Sequence, residues 1–205
     1  VSGDSLHEAG GTVAGVTAAT VSQNQDPEGL GRVKLRLPWR DAGFETDWVR
    51  IVTPMAGNAR GIFFLPEVGD EVLVAFDRDD IRYPYVLGAL WSRTDKPPET
   101  NAAGKNDIRI VKTRKGHILK FDDGAQGSIT IELDDGKHIV IDQQGVLIED
   151  GSNKIAIQTN SGTIAIEATQ SLSLKAPQIT IEASASLDLK GGGSLSANAG
   201  VVRIN

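Results

Sequence analysis

The sequence contains no cysteine, ten aromatic residues and three histidines in 205 positions. Without thiols it forms no disulfide and no thiolate metal site, and its redox compartment stays undetermined. No apolar run approaches the ~18 residues of a membrane span, and no cleavable signal pattern is visible. The aromatics are also unevenly spread. Nine lie between Trp39 and Trp91, the tenth is Phe121, and the last 84 residues have none. Bulky side chains are the anchors that offset chain entropy in a compact core. The front of the chain can therefore build a core, whereas the back cannot do so alone.

Charge follows the same division. The formal net charge is −6, and residues from Asp122 onward carry all of it, with eleven acidic and five basic side chains. A phosphate-tracking groove needs clustered lysine and arginine. The one basic cluster, Arg109, Lys112, Arg114, Lys115 and Lys120, reads as a solvated strand face, and no nucleic-acid partner is expected.

The front region alternates apolar and polar residues in five short runs: Gly15–Val21, Arg32–Leu37, Trp48–Val52, Glu71–Phe76 and Tyr85–Leu90. Val33, Leu35 and Leu37 fall on one face of the second run. Turn residues separate the runs: Asp26-Pro27-Glu28-Gly29, Pro54 with Gly57-Asn58, Val68-Gly69-Asp70, and Asp77-Arg78-Asp79-Asp80. No segment holds helical periodicity over three turns. Five strands in so short a stretch, with the aromatics concentrated there, predict a small closed barrel of the oligonucleotide/oligosaccharide-binding (OB) type. The aromatics are expected in its core or at an interface between chains. The expected layout is an N-terminal extension over 1–14, the barrel over 15–94, a linker over 95–106 containing Pro97-Pro98, and a rear region over 107–205.

The rear region is an internal repeat. Apolar residues recur in pairs, i and i+2: Ile139/Ile141, Val146/Ile148, Ile155/Ile157, Ile164/Ile166, Leu172/Leu174, Ile179/Ile181, Leu187/Leu189, Leu195/Ala197 and Val202/Ile204. Successive pairs start seven to nine residues apart, with a mean close to eight. Each unit is one short strand plus a corner. A single-chain β-helix usually fills its lumen with large stacked side chains, and two small aliphatics per strand leave it underfilled. Three chains winding about one axis need only two medium aliphatics from each strand. The expectation is therefore an all-β chain in which the OB-type barrel leads into an intertwined trimeric (triple-stranded) β-helix. Its strands pair with those of the other copies, which leaves no long edge open. The paired aliphatics form the shared core, and the rod narrows towards Ala197.

No catalytic or metal-binding constellation accompanies this frame. His7, His117 and His138 lack ligand spacing. Asp122-Asp123-Gly124 and Asp134-Asp135-Gly136 lack the alternating ligands of a calcium loop and read as hairpin turns. The repeated serines, Ser171, Ser173, Ser184, Ser186, Ser194 and Ser196, have no nearby histidine to activate them. Lys190-Gly191-Gly192-Gly193 lacks the spacing of a phosphate loop and reads as a corner or bend. The chain is expected to be a non-enzyme without cofactors. A glycan-binding or glycan-degrading β-helical fibre is the alternative, but it calls for exposed aromatic platforms or a carboxylate pair on the rod.

Several stretches together resemble a known family. LPEVGDEVLVAF (Leu65–Phe76), IRYPYVLGALW (Ile81–Trp91) and DKPPE (Asp95–Glu99) are similar to the barrel of phage-tail central spikes. So are EGLGRVKLRLPW (Glu28–Trp39) and WVRIVTPMAG (Trp48–Gly57), while KTRKGHILKFDD (Lys112–Asp123) resembles the segment that opens the β-helix there. These are the baseplate assembly protein V and the valine-glycine-repeat spikes of contractile injection systems. The resemblance covers nearly the whole chain from about Gly15.

It implies a homotrimer, assembled in the cytoplasm, that serves an extracellular or cell-anchored particle by puncturing a target envelope. It also implies a hub or tube-initiator protein at the barrel end and purely mechanical contact with the target membrane. Larger members carry a hub-like region before the barrel, so the chain is either a separate spike polypeptide or the back of a longer one. Some members end in a His-x-His apex that binds iron, whereas this chain ends GVVRIN with no histidine after His138. The implied apex is then Val202, Arg203, Ile204 and Asn205 beneath a Pro-Ala-Ala-Arg (PAAR)-type tip cap.

Overall fold

A computed structural model describes residues 13–203. Those residues are all-β: fourteen strands, one 3-10 turn at Asp77–Asp79, and no helix long and apolar enough to cross a membrane. The chain divides into two compact units between Ala102 and Ala103, taken separately below.

The first unit is built on a five-stranded sheet. Its strands are β1 (Val16–Gln23), β2 (Lys34–Arg36), β3 (Arg50–Ile51), β6 (Glu71–Phe76) and β7 (Pro84–Ala89), in the order β2-β1-β6-β7-β3. All pairs are antiparallel except β3 with β7. The edge strands β2 and β3 are linked where Val33 and Val49 exchange both backbone hydrogen bonds, at 3.0 and 2.7 Å. A two-residue hairpin, β4 (Ala56–Gly57) with β5 (Arg60–Gly61), stands outside this sheet and was not visible in the alternation pattern.

Strict period-two alternation explains the core. Val72, Val74 and Phe76 of β6 point inward with Ala19 and Val21 of β1, and Val33, Leu35 and Leu37 share the inner face. Val49, Ile81 and Val86 complete it. Of the two places expected for the aromatics, the core of the single chain takes few. Phe76 alone among the nine is buried; Trp39, Phe63, Phe64, Tyr83 and Trp91 are exposed. Small β-branched residues fill a narrow interior better than rings. Several rings instead sit under cations, such as Arg50 over Tyr85 at 4.9 Å and Lys34 over Trp48 at 5.5 Å.

Turn chemistry holds the connections. The Asp26 carboxylate accepts the amides of Glu28 and Leu30, both at 3.1 Å, and pairs with the Arg32 guanidinium at 2.8 Å. That guanidinium, aided by the backbone amides, holds the Asp26 carboxyl far below the ordinary carboxylate range. Asp80 plays the same part for the β6–β7 connection. Its side-chain bond to Arg82 lowers its pKa to about 2.

The second unit contains one seven-stranded antiparallel sheet with strands in sequence order: β8 (Ile108–Lys112), β9 (Ile118–Asp122), β10 (Ser128–Glu132), β11 (His138–Asp142), β12 (Gly145–Glu149), β13 (Lys154–Gln158) and β14 (Thr163–Glu167). Every strand has five residues and pairs with its own sequence neighbours. This differs from the expectation that strands throughout 107–205 pair with other copies: up to Glu167 the ladder is made within one chain.

Glycine explains the difference. Five of the six connections carry a glycine with positive φ, Gly116, Gly127, Gly136, Gly151 and Gly162, and at the sixth Gly145, the first residue of β12, has positive φ. That region of backbone space lets the chain reverse in few residues. No glycine follows until Gly191. Beyond Glu167 no strand pair forms among the described residues; the backbone bends at 169–170, 177, 184–185, 192–193 and 199–200. The bends fall between the apolar pairs and keep their spacing, so this stretch turns corners where the preceding one reverses.

Candidate functional site

Side chains at i and i+2 of a strand share a face, and the register of the seven-stranded sheet aligns them from strand to strand. One row runs Phe121, Ile129, Ile141, Val146, Ile157 and Ile164. The second runs Val111, Leu119, Ile131, Ile139, Ile148, Ile155 and Ile166. Interstrand steps of about 4.8 Å make the second row, with six steps, roughly 29 Å long and the first, with five, roughly 24 Å. Arg109 occupies the first row at the β8 edge, where its guanidinium donates to the Asp123 carboxylate at 2.6 Å and the Asn106 carbonyl at 2.8 Å.

These thirteen apolar residues lie on one face, and a single chain leaves them open. Exposure runs from 36% at Leu119 to 69% at Ile164, with Ile139 and Val146 half-buried. A shallow apolar groove of about 530 Å³ follows the second row past Ile139, Ile148 and Ile155 to Leu172. The opposite face has a central line of Ile110, Val140, Leu147, Ala156 and Ala165, interrupted by Lys120 and Thr130. Charged residues flank that line, including cross-strand Lys154–Glu167 at 3.0 Å and His138–Glu149 at 3.7 Å. Exposed contiguous apolar surface of this extent marks an interaction site.

The structure thus brings Ile139, Ile141, Val146, Ile148, Ile155, Ile157, Ile164 and Ile166 together on one face. It adds Val111 and the pairs Leu119/Phe121 and Ile129/Ile131, which precede the counted repeat. Leu172, Leu174, Ile179, Ile181, Leu187, Leu189 and Leu195 are exposed and lie outside any strand, as are Val202 and Arg203. Ile204 and Asn205 lie outside the described residues, as does His7.

The acidic loops are turn hardware. Asp142 accepts the amides of Gln144 and Gly145 at 2.8 and 3.1 Å. Asp150 accepts the Asn153 side chain at 3.0 Å and the amides of Ser152 and Asn153, and these bonds lower its pKa to about 2. Asp135 pairs with Lys137, which holds its carboxyl below the ordinary range. His117 accepts the Asp134 amide at 3.2 Å. Among the described residues no group of three or more His, Cys, Asp or Glu side chains is placed to hold a metal. In the first unit, Leu30, Met55, Ile62, Phe63 and Phe64 line an open groove of about 640 Å³ beside the β4–β5 hairpin.

Comparison with known proteins assigns both units. Residues 17–91 match the type VI secretion system/phage-baseplate injector OB domain. Residues 108–203 match the phage baseplate V C-terminal trimerisation domain, which contains the apolar rows and the stretch after them. The chain belongs to the phage baseplate V and valine-glycine-repeat spike family.

Among curated relatives of this spike family, the type VI secretion system spike protein VgrG2a of Pseudomonas aeruginosa is 36% identical over 94 residues. That match covers 44% of the chain and 11% of the relative. The spike protein VgrG3 of Vibrio cholerae is 30% identical over 125 residues, covering 55% of the chain and 12% of the relative. The actin cross-linking toxin VgrG1 of Vibrio cholerae is 33% identical over 103 residues, covering 46% and 9%. The match therefore spans about a tenth of each relative's length.

Proposed function

We propose that the protein is the structural, non-enzymatic central spike of a contractile injection particle, active as a homotrimer. The observation that carries this reading is the pair of apolar rows, open to solvent in one chain, within a stretch matching a trimerisation domain. Fully burying an aliphatic side chain contributes about 1.5–3 kcal/mol. Covering the remaining two-fifths at each row position contributes about 1 kcal/mol per residue. Thirteen such positions per chain compare favourably with the ~4–15 kcal/mol cost of association.

In this reading residues 1–14 precede a five-stranded OB-type barrel over 15–94, closed through Val33 and Val49, and residues 95–106 link it to the needle. Three sheets over 108–167 turn their rows inward as the faces of a triangular prism. Past Glu167 the copies wind together as a triple-stranded β-helix, with one corner at each bend and the pairs from Leu172/Leu174 to Val202/Ile204 inside. Val202, Arg203, Ile204 and Asn205 form the apex and take a PAAR-type cap, and the barrel end takes a hub or tube-initiator protein. The particle is assembled in the cytoplasm and acts as an extracellular or cell-anchored machine. The target membrane is met mechanically: load applied at the barrels passes along many parallel backbone hydrogen bonds to a small tip.

Native mass measurement of the full chain tests the proposal. A species of about 65 kDa, three times the chain mass of 21.8 kDa, is expected. A stable monomer refutes it.

A further inference from the structure

We infer that the seven-stranded sheet over 108–167 is the trimerisation nucleus, setting the register in which the three copies of residues 168–203 wind together. This rests on the trimeric reading above and adds an order and a division of labour to it.

The stretch after Glu167 does not specify its own register. Its units are near copies: Ser171-Leu172-Ser173-Leu174, Gln178-Ile179-Thr180-Ile181, Ser186-Leu187-Asp188-Leu189 and Ser194-Leu195-Ser196-Ala197. Sliding one copy by a single repeat sets aliphatic against aliphatic again and forfeits only the overhanging end. Weak register specification of this kind invites slippage and misassembly. The stretch also has no backbone ladder within its own chain, so nothing local orders it before the copies meet.

The sheet before it has both missing properties. Its pairing is local, each strand bonded to its sequence neighbour across a glycine turn, and local pairing forms early. Its register is fixed by those turns. At Gly145 a side chain would overlap the Ile157 carbonyl oxygen, so that turn tolerates one geometry. The first row also has distinct ends, with Arg109 at one and Ile164 at the other, so two copies offset by a strand set that guanidinium against an apolar position. Three sheets docked face to face therefore release their chains at Glu167 from one height. The repeats that follow inherit that alignment.

Pulsed amide hydrogen exchange during refolding of the full chain tests the order. Amides of 108–167 are expected to gain protection first, no later than an association phase that slows about tenfold or more on tenfold dilution. Amides of 168–203 follow in a later phase whose rate constant does not change. Protection of 168–203 in the same phase, or ahead of it, overturns the inference while leaving the trimer intact. A monomeric mass overturns the trimeric reading itself.

Two substitutions in the full chain give a second readout. Ile148→Asp is expected to leave 168–203 unprotected although no residue there has changed. Ile181→Asp is expected to keep both the trimer mass and the protection of 108–167. Parent-level protection of 168–203 in the Ile148→Asp protein overturns the inference.

Discussion

Leu35 and Ile148 are both aliphatic residues in short antiparallel strands, and they sit in opposite surroundings. Leu35 has no exposed surface, closed in by β1, β6 and the Val33–Val49 bridge, while Ile148 is 42% exposed on an open sheet. The first unit turns its inner faces on each other and buries its core within one chain. The second makes every backbone bond of its sheet internally but keeps its apolar face for something else. Hydrogen bonding and apolar burial, which usually arrive together, are separated here. The strands of the second unit are specified by the chain, and in the trimeric reading proposed above its core is specified by the assembly.

The largest expected effect tests that separation directly. Ile148→Asp places a charge in the second row, where burial without a partner is prohibitive. Light scattering is expected to show the trimer replaced by monomer, while the thermal transition of the barrel stays where it was. Leu35→Ala is the mirror experiment: a cost of about 2–5 kcal/mol to the barrel, read by denaturant unfolding, with the trimer mass unchanged. Gly145→Ala acts on the turns. Strained backbone of this kind costs about 1–3 kcal/mol, which should appear as faster hydrogen exchange in β12 and β13 ahead of any change in mass.

The smallest effect concerns acid, and it touches both units. Asp80 and Asp150 have carboxyls lowered to about 2, by Arg82 and Asn153 respectively. A depressed folded-state pKa stabilises above the unfolded value of about 3.9 and stops doing so as pH falls towards 2. Melting temperature should therefore decline modestly between about pH 4 and pH 2. Asp80→Asn should flatten that decline for the barrel, and Asp150→Asn for the sheet.

Much of this was legible in the residues. The strand Glu71–Phe76 stands where EVLVAF places it, because strict alternation is bounded on both sides by acidic turn residues. The paired aliphatics from Ile139 to Ile166 share a face as their spacing implies. Their pairing partners were not legible, because period two is the same whether the neighbouring strand belongs to one chain or to three. The distinguishing signal was the spacing of glycines, dense up to Gly162 and then absent to Gly191. Leu119, Phe121, Ile129 and Ile131 were missed because their pairs begin ten residues apart, outside the eight-residue count. The aromatics left core and interface open for another reason: ring content measures how much apolar surface a region carries, not which side of the sheet receives it.

The glycine-free interval has a consequence for how such a chain changes over time. A reversal ties each strand to a particular partner, so inserting or deleting one shifts every pairing beyond it. A corner makes no such commitment. Units such as Gln178-Ile179-Thr180-Ile181 are interchangeable segments, and gaining or losing one alters the length of this stretch while leaving its repeating pattern intact. Length beyond Glu167 is adjustable by duplication, whereas the sheet that precedes it is not.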